Sequence, residues 1–258
     1  MTILRYDEIL VLFKGSGKLN DIELWHGDCL EVMKDIPDKS VDMILCDLPY
    51  GTTQCKWDTI IPFELLWSQY NRIIKDNGAI VLFGSQPFTS ELIHSNIKNY
   101  KYNWTWVKSK SSNFLNAKKQ PLRTVEDICV FYKKQCTYNP QMIILDKPKV
   151  IKRTQKTIQT TGYFNSINHS VYTEAYPKNV LYYNNEMYLH PTQKPVPLCE
   201  YLIETYTNEG ETVLDNCMGS GTTGVACKNL NRKFIGIELD DTYYEIAKNR
   251  INGVPETT

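Results

Sequence analysis

Two short segments, and the order in which they occur, constrain this 258-residue chain more than any other feature. Asp47-Leu48-Pro49-Tyr50 follows the apolar run Val41-Asp42-Met43-Ile44-Leu45-Cys46 near the start. Asp215-Asn216-Cys217-Met218-Gly219-Ser220-Gly221-Thr222-Thr223 follows Thr212-Val213-Leu214 near the end. Both runs read as buried parallel strands. Each motif then sits at the carboxyl end of its strand, where open α/β sheets bind ligands.

Along the rest of the chain, strands and helices alternate. Strands are predicted over 22–26, 41–46, 79–83, 212–215 and 234–238, and helices over 63–75, 87–97, 196–206, 222–229 and 242–251. Segments 100–107 and 124–132 read as two strands with no helix between them, an antiparallel pair at a sheet edge. From residue 133 to 187 the sequence is polar, rich in Asn, Thr and Tyr, and weakly periodic, which predicts a loop-rich inserted module. The predicted organisation is a catalytic half over 20–132, an insert over 133–188 and a ligand-binding half over 189–254.

A chain with 42% apolar and 22% charged residues is ordinary for a folded globular protein. The five-residue apolar run behind Asp7 and Glu8 is too short and too acidic for a secretory leader, and no run approaches 18 apolar residues, so a cytoplasmic protein without a membrane partner is expected. Eight cysteines form no Cys-x-x-Cys pair and His26, His94, His169 and His190 are scattered, which supports neither a metal site nor a disulfide framework. The formal net charge is zero but unevenly placed. Residues 98–156 carry 12 Lys and two Arg against Glu126, Asp127 and Asp146, a net +11, interleaved with aromatic residues. Contact with a phosphate backbone needs such a segment; a solvated basic face is the alternative.

Gly219-Ser220-Gly221-Thr222-Thr223-Gly224 fits G-x-G-x-x-G between a strand and a helix, and Glu238 ends the next strand about 20 residues on, as in a dinucleotide fingerprint. Glycines allow close backbone approach, the helix start favours a negative group, and a carboxylate can accept ribose hydroxyls. This unit stands too near the carboxyl end to be followed by the remaining strands of an NAD-binding half. Earlier strands must complete the sheet. Lys14-Gly15-Ser16-Gly17-Lys18 suggests a phosphate loop, but Leu12 and Leu19 break that pattern.

Taken together, Gly27-Asp28-Cys29-Leu30, Asp47-Leu48-Pro49-Tyr50-Gly51, Asn113-Phe114-Leu115-Asn116-Ala117-Lys118-Lys119, His190-Pro191-Thr192-Gln193-Lys194-Pro195, Gly219 to Thr223 and Phe234-Ile235-Gly236-Ile237-Glu238 resemble the amino-group DNA methyltransferases in their beta-group, circularly permuted arrangement. The resemblance spans nearly the whole chain apart from about the first 20 residues and the insert. It departs in two places: Leu48 stands where the family usually has Pro, and Asp215-Asn216-Cys217 replaces Asp-Pro-Phe. The resemblance implies a Rossmann-like doubly wound sheet, circularly permuted, with an antiparallel edge hairpin and an inserted target-recognition module. It also implies S-adenosylmethionine as cofactor and double-stranded DNA as partner; a homodimer is left open.

An exocyclic base amine is a poor nucleophile because its lone pair is delocalised into the ring, so a catalyst must supply hydrogen-bond acceptors. The Asp47 carboxylate and the Leu48 carbonyl each accept one N–H, localising the lone pair and stabilising the positive charge that develops on nitrogen. Pro49 fixes the turn and Tyr50 offers a face for an extruded base. The resemblance further assigns Asp215, Gly219, Ser220, Gly221, Thr222 and Thr223 to the methionine end of the cofactor, Glu238 to the ribose, Asp28 to the region of the adenine ring, and Lys194 and Thr192 to the methionine carboxylate. Each has a plainer alternative: Asp28 and Thr192 as helix caps, Lys194 as a surface lysine. Asn113, Lys118, Lys119, Arg123, Lys152 and Arg153 are the expected DNA contacts, and 133–187 the sequence reader. The resemblance also implies adenine N6 over cytosine N4 as the target, because family members with Asp at the position of Asp47 mostly act on adenine; the Asp and carbonyl pair by itself could hold either base. An RNA methyltransferase and a non-enzymatic DNA-binding protein are the competing readings.

Overall fold

The computed structural model of the chain describes residues 22–51, 59–159, 162–185 and 193–253. In chain order the elements are β1 (Ile22–His26), α1 (Cys29–Val32), β2 (Val41–Cys46), α2 (Phe63–Ile73), β3 (Ile74–Gly84), α3 (Phe88–Ser95), β4 (Tyr100–Ser112), β5 (Arg123–Phe131), β6 (Ile143–Gln159), β7 (Gly162–Ala175), β8 (Val180–Tyr183), α4 (Val196–Tyr206), β9 (Thr212–Asp215), α5 (Thr222–Asn229), β10 (Lys233–Glu238) and α6 (Asp241–Asn252).

Eight strands form one sheet in the order β1-β10-β9-β2-β3-β5-β4-β8. The first five of these run parallel, β5 is antiparallel to both β3 and β4, and β8 runs parallel to β4. All six residues of β2 are buried, because successive side chains enter two cores on opposite faces. Met43 and Leu45 join Leu198, Leu202 and Ile203 of α4, Ala226 of α5 and Ile251 of α6 on one face. Ile44 and Cys46 join Met33, Leu66, Tyr70 and Ile73 on the other. Helices thus cover both faces, the doubly wound arrangement. Burial of Leu66 and Ile73 contributes roughly 1.5–3 kcal/mol each to fixing α2.

Local chemistry sets the helix ends. Asp240 caps α6 by accepting from Thr242 N and Tyr243 N, and Gly253 closes it at φ 74°. Gly224 packs α5 against the sheet: a Cβ there would stand 2.4 Å from Ile251 Cδ1 and 2.7 Å from Phe234 Cε1.

The expected loop-rich insert over 133–188 is corrected on two counts. β6 and β7 form a long antiparallel ribbon paired from Ile143↔Ala175 to Gln159↔Gly162. A two-stranded ribbon has no core face to bury, so Ile144, Val150 and Val171 stay exposed and no alternation marks the strands. The other end of the segment belongs to the main sheet: β8 pairs with β4 from Thr105↔Val180 to Lys108↔Tyr183, so the β4–β5 hairpin is not the sheet edge. The Asn139 amide also donates to the Glu204 and Thr207 carbonyls at the end of α4, tying residue 139 to the body of the domain.

Candidate functional site

The carboxyl ends of the parallel strands converge on one side of the sheet. Moving across it, β1 delivers Asp28, β10 delivers Glu238, β9 delivers Asp215 and β2 delivers Asp47. β2 and β9 are direct neighbours with Ile44 beside Leu214, so the two segments that stand far apart in sequence meet in space. β5 enters this edge with its amino end, bringing Glu126, and β4 leaves it with Lys108. These residues wall a cavity of about 1070 Å³, which also touches Leu48, Pro49, Tyr50, Lys194, Gly219, Ser220, Thr222, Thr223, Asn113 and Arg123.

At Asp47, both carboxylate oxygens have partners: Tyr50 Oη donates to Oδ1 at 2.7 Å and Lys194 Nζ to Oδ2 at 2.5 Å. Tyr50 Oη also lies 3.0 Å from Glu126 Oε1, as does Lys194 Nζ, and Lys108 Nζ lies 2.5 Å from Glu126 Oε2. Two carboxylates and two ammonium groups therefore balance one another in a site where Glu126 is 5% exposed and Lys194 is 7% exposed. Unpaired, either charge would be expensive to bury. Burial pushes the Asp47 carboxyl up, against the pull of Lys194, and nearby Glu126 adds to the rise. Glu126 feels the same burial, but Lys194 and Lys108 outweigh it and hold the carboxyl below its ordinary value. Burial and the two carboxylates raise the Tyr50 hydroxyl far above its usual range, so it stays a donor. One Tyr50 ring face stacks on Phe88 at 4.8 Å, and Leu48 is buried in the core while its backbone lines the turn.

In the glycine loop, Gly219 has φ 51° with nothing within 4 Å of where a Cβ would stand, so the backbone favours glycine there and leaves space on that side. Gly221, at φ 79°, starts α5 and packs against Ala247. Glu238 accepts from Gly219 N through Oε2 at 2.8 Å, and from Leu239 N and Asp240 N through Oε1, both at 2.9 Å. Three of roughly four acceptor positions of that carboxylate are filled by its own loops. Asp215 accepts from Thr223 Oγ1 at 2.6 Å and Cys217 N at 3.1 Å, and burial pushes its carboxyl up to about 6. Ser220 and Thr222 are held by Arg250. Asn216, which departs from the family pattern, is buried with its amide oxygen accepting from Tyr70 Oη. Asp28 caps α1 through Leu30 N while also lining the cavity.

The sequence-predicted residues separate in the structure. Asp28, Asp47 to Tyr50, Lys194, Asp215, Gly219, Ser220, Thr222, Thr223, Glu238, Asn113 and Arg123 share the cavity wall, while Gly221 is not part of it and packs against Ala247. Lys194 is not a surface lysine, and its ammonium engages Asp47 and Glu126 rather than standing free for a cofactor carboxylate. Lys118 and Lys119 are exposed on the turn after the short 3-10 turn Phe114–Asn116, outside the cavity wall. Lys152 and Arg153 lie in β6, and their side chains, like Thr192 and the segment 14–18, fall outside the described residues. Among the described residues there is no His, Cys, Asp and Glu cluster fit for a metal ion, and Cys29, Cys46, Cys129, Cys136, Cys199, Cys217 and Cys227 are free thiols.

Glu126 and Lys108 were not identified from sequence as site residues. β5 offers only an ambiguous signal: Glu126 alternates with Ile128 and Val130, but Asp127 alternates equally with Cys129 and Phe131, all four fully buried, so the period of two sets one acid on each face without singling out Glu126.

The DNA methylase family model matches residues 41–249. The chain is 30% identical to the DNA adenine methyltransferase YhdJ of Escherichia coli (strain K12), across 88% of this chain and 81% of that protein. It is 29% identical to the Type II methyltransferase M.HpaI of Haemophilus parainfluenzae, across 90% and 74% respectively. The crystal structure of the M1.HpyAVI-SAM complex superposes with a TM-score of 0.60 at 27% identity, covering 90% of this chain and 99% of that one.

Proposed function

The chain belongs to the DNA methylase family, and from that premise we propose that it methylates the N6 amine of adenine in duplex DNA through the Asp47 site. It is an S-adenosylmethionine-dependent methyltransferase. The observation that carries the reading of the site is the adjacency of β2 and β9, which brings the Asp47 turn and the glycine loop to the wall of one cavity.

The cavity fits the cofactor by chemistry as well as size, since about 1070 Å³ is ample beside the 300–1,000 Å³ of typical small-molecule pockets. Open space at Gly219 and the immobilised Glu238 carboxylate suit the nucleoside end; the remaining acceptor position on Glu238 Oε2 serves one ribose hydroxyl. When bound, the sulfonium supplies an electrophilic methyl that needs little further activation, so positioning dominates. Asp47 and the Leu48 carbonyl accept the two N–H bonds of the target amine. Tyr50, fixed on Phe88 and on two carboxylates, shapes the base pocket. Asn113 is the base-side candidate for polar recognition, because its Oδ1 accepts from Asn116 while its Nδ2 is buried with no hydrogen-bond partner among the described residues. Arg123, Lys118 and Lys119 surround the mouth as phosphate contacts, and the β6–β7 ribbon is the sequence reader, a two-stranded element of the width a major groove admits.

Expression in a methylation-free bacterial host, followed by modification-sensitive sequencing, tests this reading. Methylated adenine at a recurrent site supports it; genomic DNA left unmodified by a folded, cofactor-binding protein rejects it.

A further inference from the structure

We propose that Glu126 is a positioning residue for methyl transfer: by holding the Lys194 ammonium between itself and Asp47, it keeps Asp47 available as an acceptor for the target amine. The proposal rests on the reading of Asp47 given above and assigns a function to a residue that no motif marks.

The Lys194 ammonium is held by two carboxylates and an aromatic ring. It meets Asp47 Oδ2 and Glu126 Oε1, and stands 4.9 Å from the centre of the Phe83 ring. Glu126 in turn has Lys108 on its second oxygen and the Tyr50 hydroxyl on its first. No hydrogen bond or ion pair joins it to the glycine loop, and it is 5% exposed with both oxygens already held, so its effect on the reaction passes through Lys194, Tyr50 and Lys108. Asp47 keeps about two of its four acceptor positions for an incoming amine. If Glu126 lost its charge, Lys194 would have one carboxylate left and would saturate Asp47. The cluster would also pass from balanced to net positive, at a place where the positive charge of the sulfonium must move onto the amine.

The electrostatic surroundings are defined. Asp47 feels Lys194, Glu126 and Tyr50, and its own charge in turn raises Asp215, Cys46 and Cys199 through space. Glu126 feels Lys194 and Lys108, with Tyr50 and Asp47 beside it. Neutralising Glu126 removes a like charge from Asp47 and so favours its ionised form.

The test is the single-turnover methylation rate of full-length E126Q as a function of pH, with S-adenosylmethionine affinity measured separately by calorimetry. The expected rate falls about 10-fold or more, on the scale of other transition-state hydrogen-bonding groups. Cofactor affinity stays within about twofold, because no hydrogen bond to the glycine loop is lost. The acid limb, where Asp47 protonates, moves to lower pH. Lys108→Met, which leaves the cluster net negative, moves that limb to higher pH, and Glu126→Asp restores part of the E126Q rate. A role in packing alone would slow both variants without opposite shifts. E126Q with the wild-type rate and an unmoved limb overturns the proposal. Weaker cofactor binding at an unchanged rate also overturns it, and would assign the Lys194 and Glu126 pair to the methionine end. Should E126Q fail to fold, the K108M limb and the E126D rate decide. Full activity in an Asp47→Ala enzyme would refute the acceptor reading itself, whatever E126Q does.

Discussion

Replacing Asp47 by Ala separates the chemistry from the fold, and the structure sets the size of each effect. The substitution deletes the partner of Tyr50 Oη at 2.7 Å and of Lys194 Nζ at 2.5 Å. Neither is orphaned, since both retain Glu126 Oε1 at 3.0 Å. The folding cost is therefore that of lost hydrogen bonds to a charged group, about 1.5–3 kcal/mol, rather than the 3–5 kcal/mol of an abandoned buried charge. The rate responds more strongly. Removing one group that stabilises developing charge costs roughly 2.7–4 kcal/mol, a factor of about 10²–10³. Asp47 makes no hydrogen bond to residues 215–223, so the dissociation constant for S-adenosylmethionine stays within about twofold. Single-turnover transfer of a labelled methyl group to a duplex oligonucleotide, alongside calorimetric titration of the cofactor, reads both quantities. Wild-type rates in the variant would refute the acceptor role. Lost cofactor affinity with an unchanged rate would show that Asp47 serves cofactor binding instead.

Glu238→Ala leaves the amides of Gly219, Leu239 and Asp240 without their acceptor and is expected to weaken cofactor binding by about 1–3 kcal/mol; an unchanged dissociation constant by calorimetry contradicts a role at the ribose. Neutralising Lys118 and Lys119 should weaken duplex binding for all sequences and reduce the slope of log K against log salt by about 0.9 for each lost contact. A steep, unaltered slope places the phosphates elsewhere. Asp215, with its carboxyl pushed up to about 6 by burial, favours the folded state most when protonated, so its stabilising contribution is present below about pH 4 and lost as pH rises to about 6. Across that window wild type should lose about 3 kcal/mol relative to Asp215→Asn in urea unfolding. Parallel stability curves for the two proteins would refute this.

The doubly wound core is legible because its strands are short apolar runs that run into a glycine or a carboxylate. The pairing of the Asp47 and glycine-loop segments was also readable, since neither makes a site without the other. What escaped was whatever depends on contacts across strands. Glu126 looked like one of three acids diluting a basic stretch, although β5 carries it on a core face toward Lys194, which arrives from a segment 68 positions further along. The resemblance assigns Lys194 to the cofactor carboxylate, and its pairing with Asp47 and Glu126 is invisible in the sequence because neither acid is near it in the chain. The β6–β7 ribbon read as loop because it buries no face, and β8 because four residues are too few for periodicity to register.

On the proposed reading, one cavity delivers a methyl group to the exocyclic amine of adenine in DNA. Duplex DNA incubated with the enzyme and S-adenosylmethionine carrying a heavy-isotope methyl, then digested to nucleosides and measured by mass spectrometry, tests it most directly. Labelled N6-methyladenine, without N4-methylcytosine and absent from the Asp47→Ala reaction, is the predicted result; labelled N4-methylcytosine in its place, or labelled N6-methyladenine undiminished by the substitution, would contradict it.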